Sequence, residues 1–339
     1  DIEFDIALTI EKGASLWLIG DDTITLNNES GSVSADVVGN YALKDEYLEI
    51  DNFNYSHPGI IELEVSAGLD FKSDALVEKV GVYLNNWDIG KFLSTYDLSV
   101  AAINQHFVIK NWRLGGEVAG TFLYESEGAL SLEADFSGIN VEDLFQQRIA
   151  LEGLSGNISW SNSSIMRESI IGWDKLTLLS VEMGPSRFNF ETIGETIQVP
   201  LIKIPFIPEG ELRLANVNCS HCLQPNRHIQ LAAQLSPTPI NSLWRMTGSD
   251  GSPVEGMVET AMPGVSYQNG RMELDGGMTV NLFEGVIELN HLVMEDPAGL
   301  LPKLQGDITV RRIDLEALTK TYDFGRITGR VDGHVRDFE

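Results

Sequence analysis

Asp1-Ile2-Glu3-Phe4-Asp5-Ile6-Ala7-Leu8-Thr9-Ile10 opens the chain with a strict alternation. Ile2, Phe4, Ile6, Leu8 and Ile10 fall on one set of positions, and Asp1, Glu3, Asp5, Ala7 and Thr9 on the other. A period of two puts successive side chains on opposite sides of an extended backbone, so this stretch is a strand with one dry and one wet face. The same pattern returns in Ile61-Glu62-Leu63-Glu64-Val65, in Leu130-Ser131-Leu132-Glu133-Ala134-Asp135-Phe136, in Glu211-Leu212-Arg213-Leu214 and in Met278-Thr279-Val280-Asn281-Leu282. Clusters such as Asn27-Asn28-Glu29-Ser30-Gly31 and Asp275-Gly276-Gly277 separate the runs with turn-forming residues. Short strands with close turns predict a long antiparallel meander.

Helical signal is thin. Four short segments, 74–80, 88–93, 140–145 and 314–319, begin near an Asp or Asn able to cap a helix and carry apolar residues in the next turn. The segments from Asn140 to Gly156 and from Asp314 to Gly329 resemble each other, which suggests a recurring strand–helical turn–strand unit. Val199-Pro200-Leu201-Ile202-Lys203-Ile204-Pro205-Phe206-Ile207-Pro208 carries three prolines, which cannot donate to a ladder. It reads as a crossover, dividing an N-terminal β-meander (1–198) from a C-terminal β segment (211–339) through a Pro-rich stretch (199–210), with one continuous sheet as the alternative. Residues 235–256 read as a second loop-rich stretch.

The chain has 339 residues, 23 Lys plus Arg and 50 Asp plus Glu, for a formal net charge of −27. A field of that sign repels nucleic-acid phosphates and anionic leaflets, so neither duplex binding by charge nor lying flat on an anionic membrane is expected. No apolar run reaches the ~18 residues of a membrane-spanning helix. Both ends fall in mid-pattern, and the chain reads as a piece of a longer protein.

The search for chemistry yields little. Cys219-Ser220-His221-Cys222, with His228 beyond, is open to three readings: a local disulfide, which is favoured, two inert thiols, or a metal or redox site. The zinc reading lacks a second ligand pair, and the redox reading lacks a helix N-terminus. None of the nucleophile-elbow, zinc-protease, phosphate-loop or dinucleotide signatures occurs. Most acids alternate with apolar residues, the pattern of a solvated face. No catalytic residue, metal site or cofactor is expected. Trp87, Trp112, Trp160, Trp173 and Trp244 lie beside turn residues, where they pack as core or stack sugars.

The C-terminal stretch carries a resemblance. It runs from Val280-Asn281-Leu282-Phe283-Glu284-Gly285-Val286-Ile287-Glu288-Leu289 through Glu295-Asp296-Pro297 and Ile313-Asp314-Leu315-Glu316-Ala317-Leu318-Thr319. It ends at Phe324-Gly325-Arg326-Ile327-Thr328-Gly329-Arg330-Val331-Asp332-Gly333. These phrases, in this order over about sixty residues, resemble the C-terminal region of AsmA-like, TamB-type envelope proteins of Gram-negative bacteria, closest to the YdbH-like branch. The preceding chain is similar only in style. The resemblance implies a long periplasmic parent anchored in the inner membrane. It also implies an elongated, curled antiparallel sheet forming an open groove or half-barrel, and transfer of phospholipids between inner and outer membranes with no catalytic residue. Membrane-protein partners would then contact regions beyond this piece.

The alternation alone favours an ordinary closed core; the resemblance directs Ile2, Phe4, Ile6, Leu8 and Ile10, and near the end Val280, Leu282, Ile308 and Val310, into a lipid groove. Two other functions are consistent with the strands: an assembly factor for outer-membrane proteins acting by strand pairing, and a carbohydrate-binding β-protein.

Overall fold

The computed structural model of the chain describes residues 2–10, 13–19, 22–28, 32–97, 112–126, 128–145, 149–178, 181–207, 209–245, 255–297, 303–323 and 325–338. Within them the protein is mainly β with three short helices, and twenty strands belong to an antiparallel sheet that is not closed. The chain divides into two compact units, Asp1–Trp173 and Asp174–Glu339. No helix among the described residues is long and apolar enough to cross a membrane.

The first unit is a meander of β1 (Ile2–Ile10), β4 (Val33–Ala42), β5 (Tyr47–His57), β6 (Ile61–Asp70), β7 (Val77–Asp88), β9 (Trp112–Glu125), β10 (Leu130–Asp143), β11 (Ile149–Ser161) and β12 (Arg167–Trp173). Each pairs antiparallel with the next in that order. A separate small sheet joins β2 (Gly13–Ile19), β3 (Asp22–Asn28) and β8 (Tyr96–Asp97). Helix α1 (Ile89–Thr95) starts at Asp88, whose carboxylate accepts from the Lys91 amide at 2.9 Å. It closes one end of the sheet: Phe92 stacks on Tyr96 with centroids 4.5 Å apart and meets Trp87 edge-on, over buried Val33, Ile60 and Ile61. Under this plug the Tyr96 hydroxyl lies 2.7 Å from His57 Nδ1 and 2.5 Å from the Tyr55 hydroxyl. His57 is fully buried, and that burial holds its pKa below the ordinary imidazole value.

The second unit contains β13 (Lys175–Leu178), β14 (Val181–Met183), β15 (Ser186–Ile193), β16 (Thr196–Pro205), β17 (Glu211–Ser220), β18 (His228–Pro239), α2 (Ile240–Arg245), β19 (Gly256–Gln268), β20 (Arg271–Leu282), β21 (Gly285–Glu295), β22 (Lys303–Asp314), α3 (Leu315–Thr321) and β23 (Arg330–Phe338). From β15 to β23 neighbours in sequence are neighbours in the sheet. Buried Leu235, Ile240 and Val258 form one cluster where α2 meets the sheet, and Met262, Val265 and Leu292 form another.

Several expectations are corrected. Residues 74–80 are not helical: a turn leads into β7, where Val77 pairs with Leu69 and Val80 with Ala67. Residues 140–145 are not helical either, because β10 continues to Asp143. Asn140 serves the backbone of a bulge, its amide donating to Gly138 O at 2.8 Å and its oxygen accepting from Gly153 N at 3.0 Å. Asp314 does cap a helix, accepting from the Glu316 and Ala317 amides at 2.8 and 2.9 Å. The two segments therefore differ, and the proposed repeat unit is absent. The Pro-rich segment is no boundary: the division falls after Trp173, and 196–205 is strand β16, paired with β17. Pro200 and Pro205 lie beyond the β15–β16 register, which ends at Gln198, so they leave that ladder intact. Within 235–256, strand β18 runs on to Pro239 and α2 follows directly.

Candidate functional site

The registers turn the alternation of each strand into continuous rows. Residues directly opposite each other in an antiparallel pair share a face. In the first unit Ile6, Val37, Phe53, Val65, Val82, Phe122, Leu132 and Trp160 face one another in succession across eight strands. The neighbouring row reads Leu8, Ala35, Tyr55, Leu63, Leu84, Gly120, Ala134 and Ile158. The row on the other side reads Phe4, Gly39, Ile50, Ala67, Val80, Tyr124 and Leu130. No row contains a charge. At a strand spacing of ~4.8 Å each eight-strand row is ~34 Å across. In the second unit Ile204, Leu212, Leu235, Thr260, Met278, Leu289, Ile308 and Val335 form an equivalent row.

The face stays on one side because the strands contain bulges. Apolar alternation jumps by three at Ile50/Phe53, Leu84/Trp87, Phe136/Ile139 and Val310/Ile313, and at each jump the register shifts. The extra residues take left-handed backbone, as at Asn216, His291 and Arg312 (φ 52°, 52° and 54°), or are glycine, as at Gly138, Gly153 and Gly276. A bulge bends its strand, so bulges in strand after strand curl the sheet locally.

Part of this face is uncovered, and the rest is half-buried. In the first unit Ile2, Ile6 and Leu8 are 51%, 60% and 47% exposed, and Phe122 and Leu132 are 37% and 36% exposed. Gly39 has a packing role here, since a Cβ would lie 2.6 Å from the Phe4 ring tip.

The opposite face carries the charge. Asp36 accepts from Asn54 at 2.9 Å, Lys79 pairs with Glu49 at 2.7 Å, and Arg311 with Glu288 at 3.0 Å. The Lys79 ammonium holds the Glu49 carboxyl below its ordinary pKa. Tyr47, partly desolvated and facing Glu78, is pushed up to about 12.

Each residue expected in the groove can now be placed. Ile2, Phe4, Ile6 and Leu8 share the apolar face of the first unit, and Ile10 pairs with Val33 in the same register, its side chain lying outside the described residues. Val280 and Val310 flank Ile287, Ile308 pairs with Leu289, and Leu282 packs with Val280 on the Leu235 cluster, all on the apolar face of the second unit. The structure assigns the two groups to different units. Sequence reading did not assign the central residues Phe53, Val65, Val82 and Phe122 to the groove; Phe53 follows a skip of three after Ile50, while Val65, Val82 and Phe122 lie in plain alternation. Cys219 and Cys222 are joined by a disulfide, and Cys219 pairs with Ile197 and Ile229. Among the described residues no group of three His, Cys, Asp or Glu is placed to hold a metal ion. Trp87 belongs to the α1 plug and Trp160 to the central row; the Trp244 side chain lies outside the described residues. Comparison of the chain with protein-family models, curated proteins and solved structures finds no match.

Proposed function

We propose that the chain is a periplasmic lipid-transfer scaffold, part of a bridge-like protein that moves phospholipids between the inner and outer membranes. The observation that carries this reading is the uncharged apolar face, continuous across eight strands, half-buried at its middle strands and exposed at Ile6, Leu8, Phe122 and Leu132. Acyl chains would be held by removal of apolar surface from water, at ~25 cal/mol per Å². A row of similar aliphatic and aromatic side chains offers many equivalent positions and no deep one, so a chain can slide along it. The absence of charge from the rows spares a moving lipid any electrostatic trap. The AsmA-like resemblance of residues 280–333 and the disulfide, which suits an oxidising compartment, support the periplasmic assignment. The test is site-specific photocrosslinking to phospholipid. Probes at Ile6 and Leu282 are expected to capture lipid, and probes at Glu3 and Asn281, on the opposite face, are not. Equal capture from both faces would sink the proposal.

One observation favours a second reading, an assembly factor that templates outer-membrane strands. Among the described residues β1 pairs with β4 alone, through nine successive pairs without a bulge, which leaves an extended edge for another strand. Capture of an unfolded β-barrel substrate through β1, with no lipid crosslinking, would select it.

A further inference from the structure

The two ends of the first unit's sheet differ. At one end α1 and the buried residues His57, Ile60 and Tyr96 close part of the surface, and the exposed apolar residues there are Leu8, Leu144, Phe145 and Ile149. The other end is formed by the turns β4–β5 (43–46), β6–β7 (71–76), β9–β10 (126–129) and β11–β12 (162–166). Three of these four carry large apolar side chains in water: Leu43 (58% exposed), Phe71 (50%), Leu76 (46%), Ile165 (61%) and Met166 (49%).

Two of the turns place a lysine directly after an exposed apolar residue, Lys44 after Leu43 and Lys72 after Phe71; Arg167, which follows Met166, is half-buried at the start of β12, and Leu76 is followed by Val77. The turns are held in place. Phe71 N donates to Glu46 O at 3.0 Å and Lys72 Nζ to Lys44 O at 2.5 Å, and Phe71 packs edge-on against Tyr41. Asn162 ties the last turn to its neighbour, accepting from Leu130 N at 2.9 Å. Exposed apolar side chains with lysines among them are what a lipid–water interface selects, because the apolar group enters the acyl boundary while the ammonium reaches a phosphate.

Lys44, Lys72 and Arg167 are met by Asp45, Glu46, Asp74 and Glu127 in or beside the same turns, so the end carries a net charge of only −1 (3 − 4), within a chain at −27. That excludes attraction to an anionic leaflet and leaves a surface of zwitterionic headgroups. We infer that these turns form a lip that rests on a zwitterionic phospholipid bilayer, with Leu43, Phe71, Leu76, Ile165 and Met166 dipping into it. The lip rests on the lipid-transfer reading and deepens it, since it borders the apolar face and gives acyl chains a place to enter.

Co-sedimentation of the full chain with phosphatidylethanolamine–phosphatidylcholine vesicles tests the lip. The triple variant Leu43→Ser, Phe71→Ser, Ile165→Ser changes only exposed side chains and should fold, as circular dichroism would report. Its partition onto vesicles is expected to fall about tenfold or more. Adding phosphatidylglycerol is expected to weaken binding of the unaltered chain. The triple variant should still crosslink a soluble short-chain phospholipid at Ile6, whereas Val82→Glu should lose that crosslink and keep vesicle binding. The lip is overturned if the triple variant binds vesicles like the unaltered chain, or if phosphatidylglycerol strengthens binding. It is equally overturned if the unaltered chain ignores vesicles and instead self-associates through these turns by light scattering. None of those outcomes touches lipid capture at Ile6, so the two ideas fail separately.

Discussion

A glutamate placed at the centre of the apolar face measures whether that face is covered. Phe122 is 37% exposed in the middle row, and Ile61 is 9% exposed beneath the α1 plug. Both lie on the same face of the same unit, so the contrast isolates burial. Full burial of such a side chain contributes ~1.5–3 kcal/mol, and Phe122 realises roughly two thirds of it. In Phe122→Glu the new carboxylate can reach water, so the cost is limited to that lost apolar burial, about 1–2 kcal/mol. In Ile61→Glu the carboxylate is enclosed by Val33, Ile60 and Tyr96, opposite the buried His57, and desolvation adds several kcal/mol, for a total of about 5 kcal/mol. Ile6→Glu, on an edge strand at 60% exposure, should cost about 0.6–1.2 kcal/mol. Urea titrations of the full chain give the ranking as midpoint shifts: small for Ile6, moderate for Phe122, and near collapse of the first unit for Ile61. If Phe122→Glu is as damaging as Ile61→Glu, the middle of the face is a closed core and the lipid reading loses its foundation.

The plug gives two more predictions. Tyr96→Phe keeps the ring on Phe92 but strips both Tyr55 and His57 of a buried hydrogen-bond partner, and should cost about 2–4 kcal/mol in a urea titration. Burial lowers the folded-state pKa of His57 below its unfolded value, so the unfolded chain binds the proton more readily. Its contribution to stability is complete above the unfolded pKa of ~6.5 and declines as pH falls below it, at no more than ~1.4 kcal/mol per pH unit. Comparing urea midpoints at pH 7.5 and 5.5 should show a shallower pH slope in His57→Gln than in the unaltered chain; equal slopes would remove His57 as the cause.

The strand faces were legible because the alternation is strong: Ile2 to Ile10, Ile61 to Val65 and Met278 to Leu282 all lie on strands with the expected apolar side. Asp88 and Asp314 were legible as caps because their carboxylates take the free amides of a first helical turn. The errors share one physical cause. A bulge advances the apolar pattern by three residues, the spacing a helix also uses, so Val77/Val80 and the region after Ile139 looked helical while being extended. The bulge residue itself is often of the type that caps helices, as Asn140 illustrates. Pro200 misled in another way, because its effect depends on whether a ladder needs its amide, which is a property of the neighbouring strand. Uncovered and covered faces share the same alternation, so exposure of the central row was legible only from packing.

Because nearly every strand pairs with its own sequence neighbours, the architecture is tunable in width. Removing or duplicating one hairpin, such as β5–β6 with its turn at 58–60, leaves strand direction and the facing of all remaining side chains unchanged. It alters the apolar face by two strand spacings, ~10 Å. Loss of a single residue within a strand is far more disruptive, because it swaps the wet and dry sides of everything up to the next turn. Change in this protein is therefore expected to come in paired strands, as whole-hairpin gains and losses, with single-residue insertions confined to turns and bulge positions.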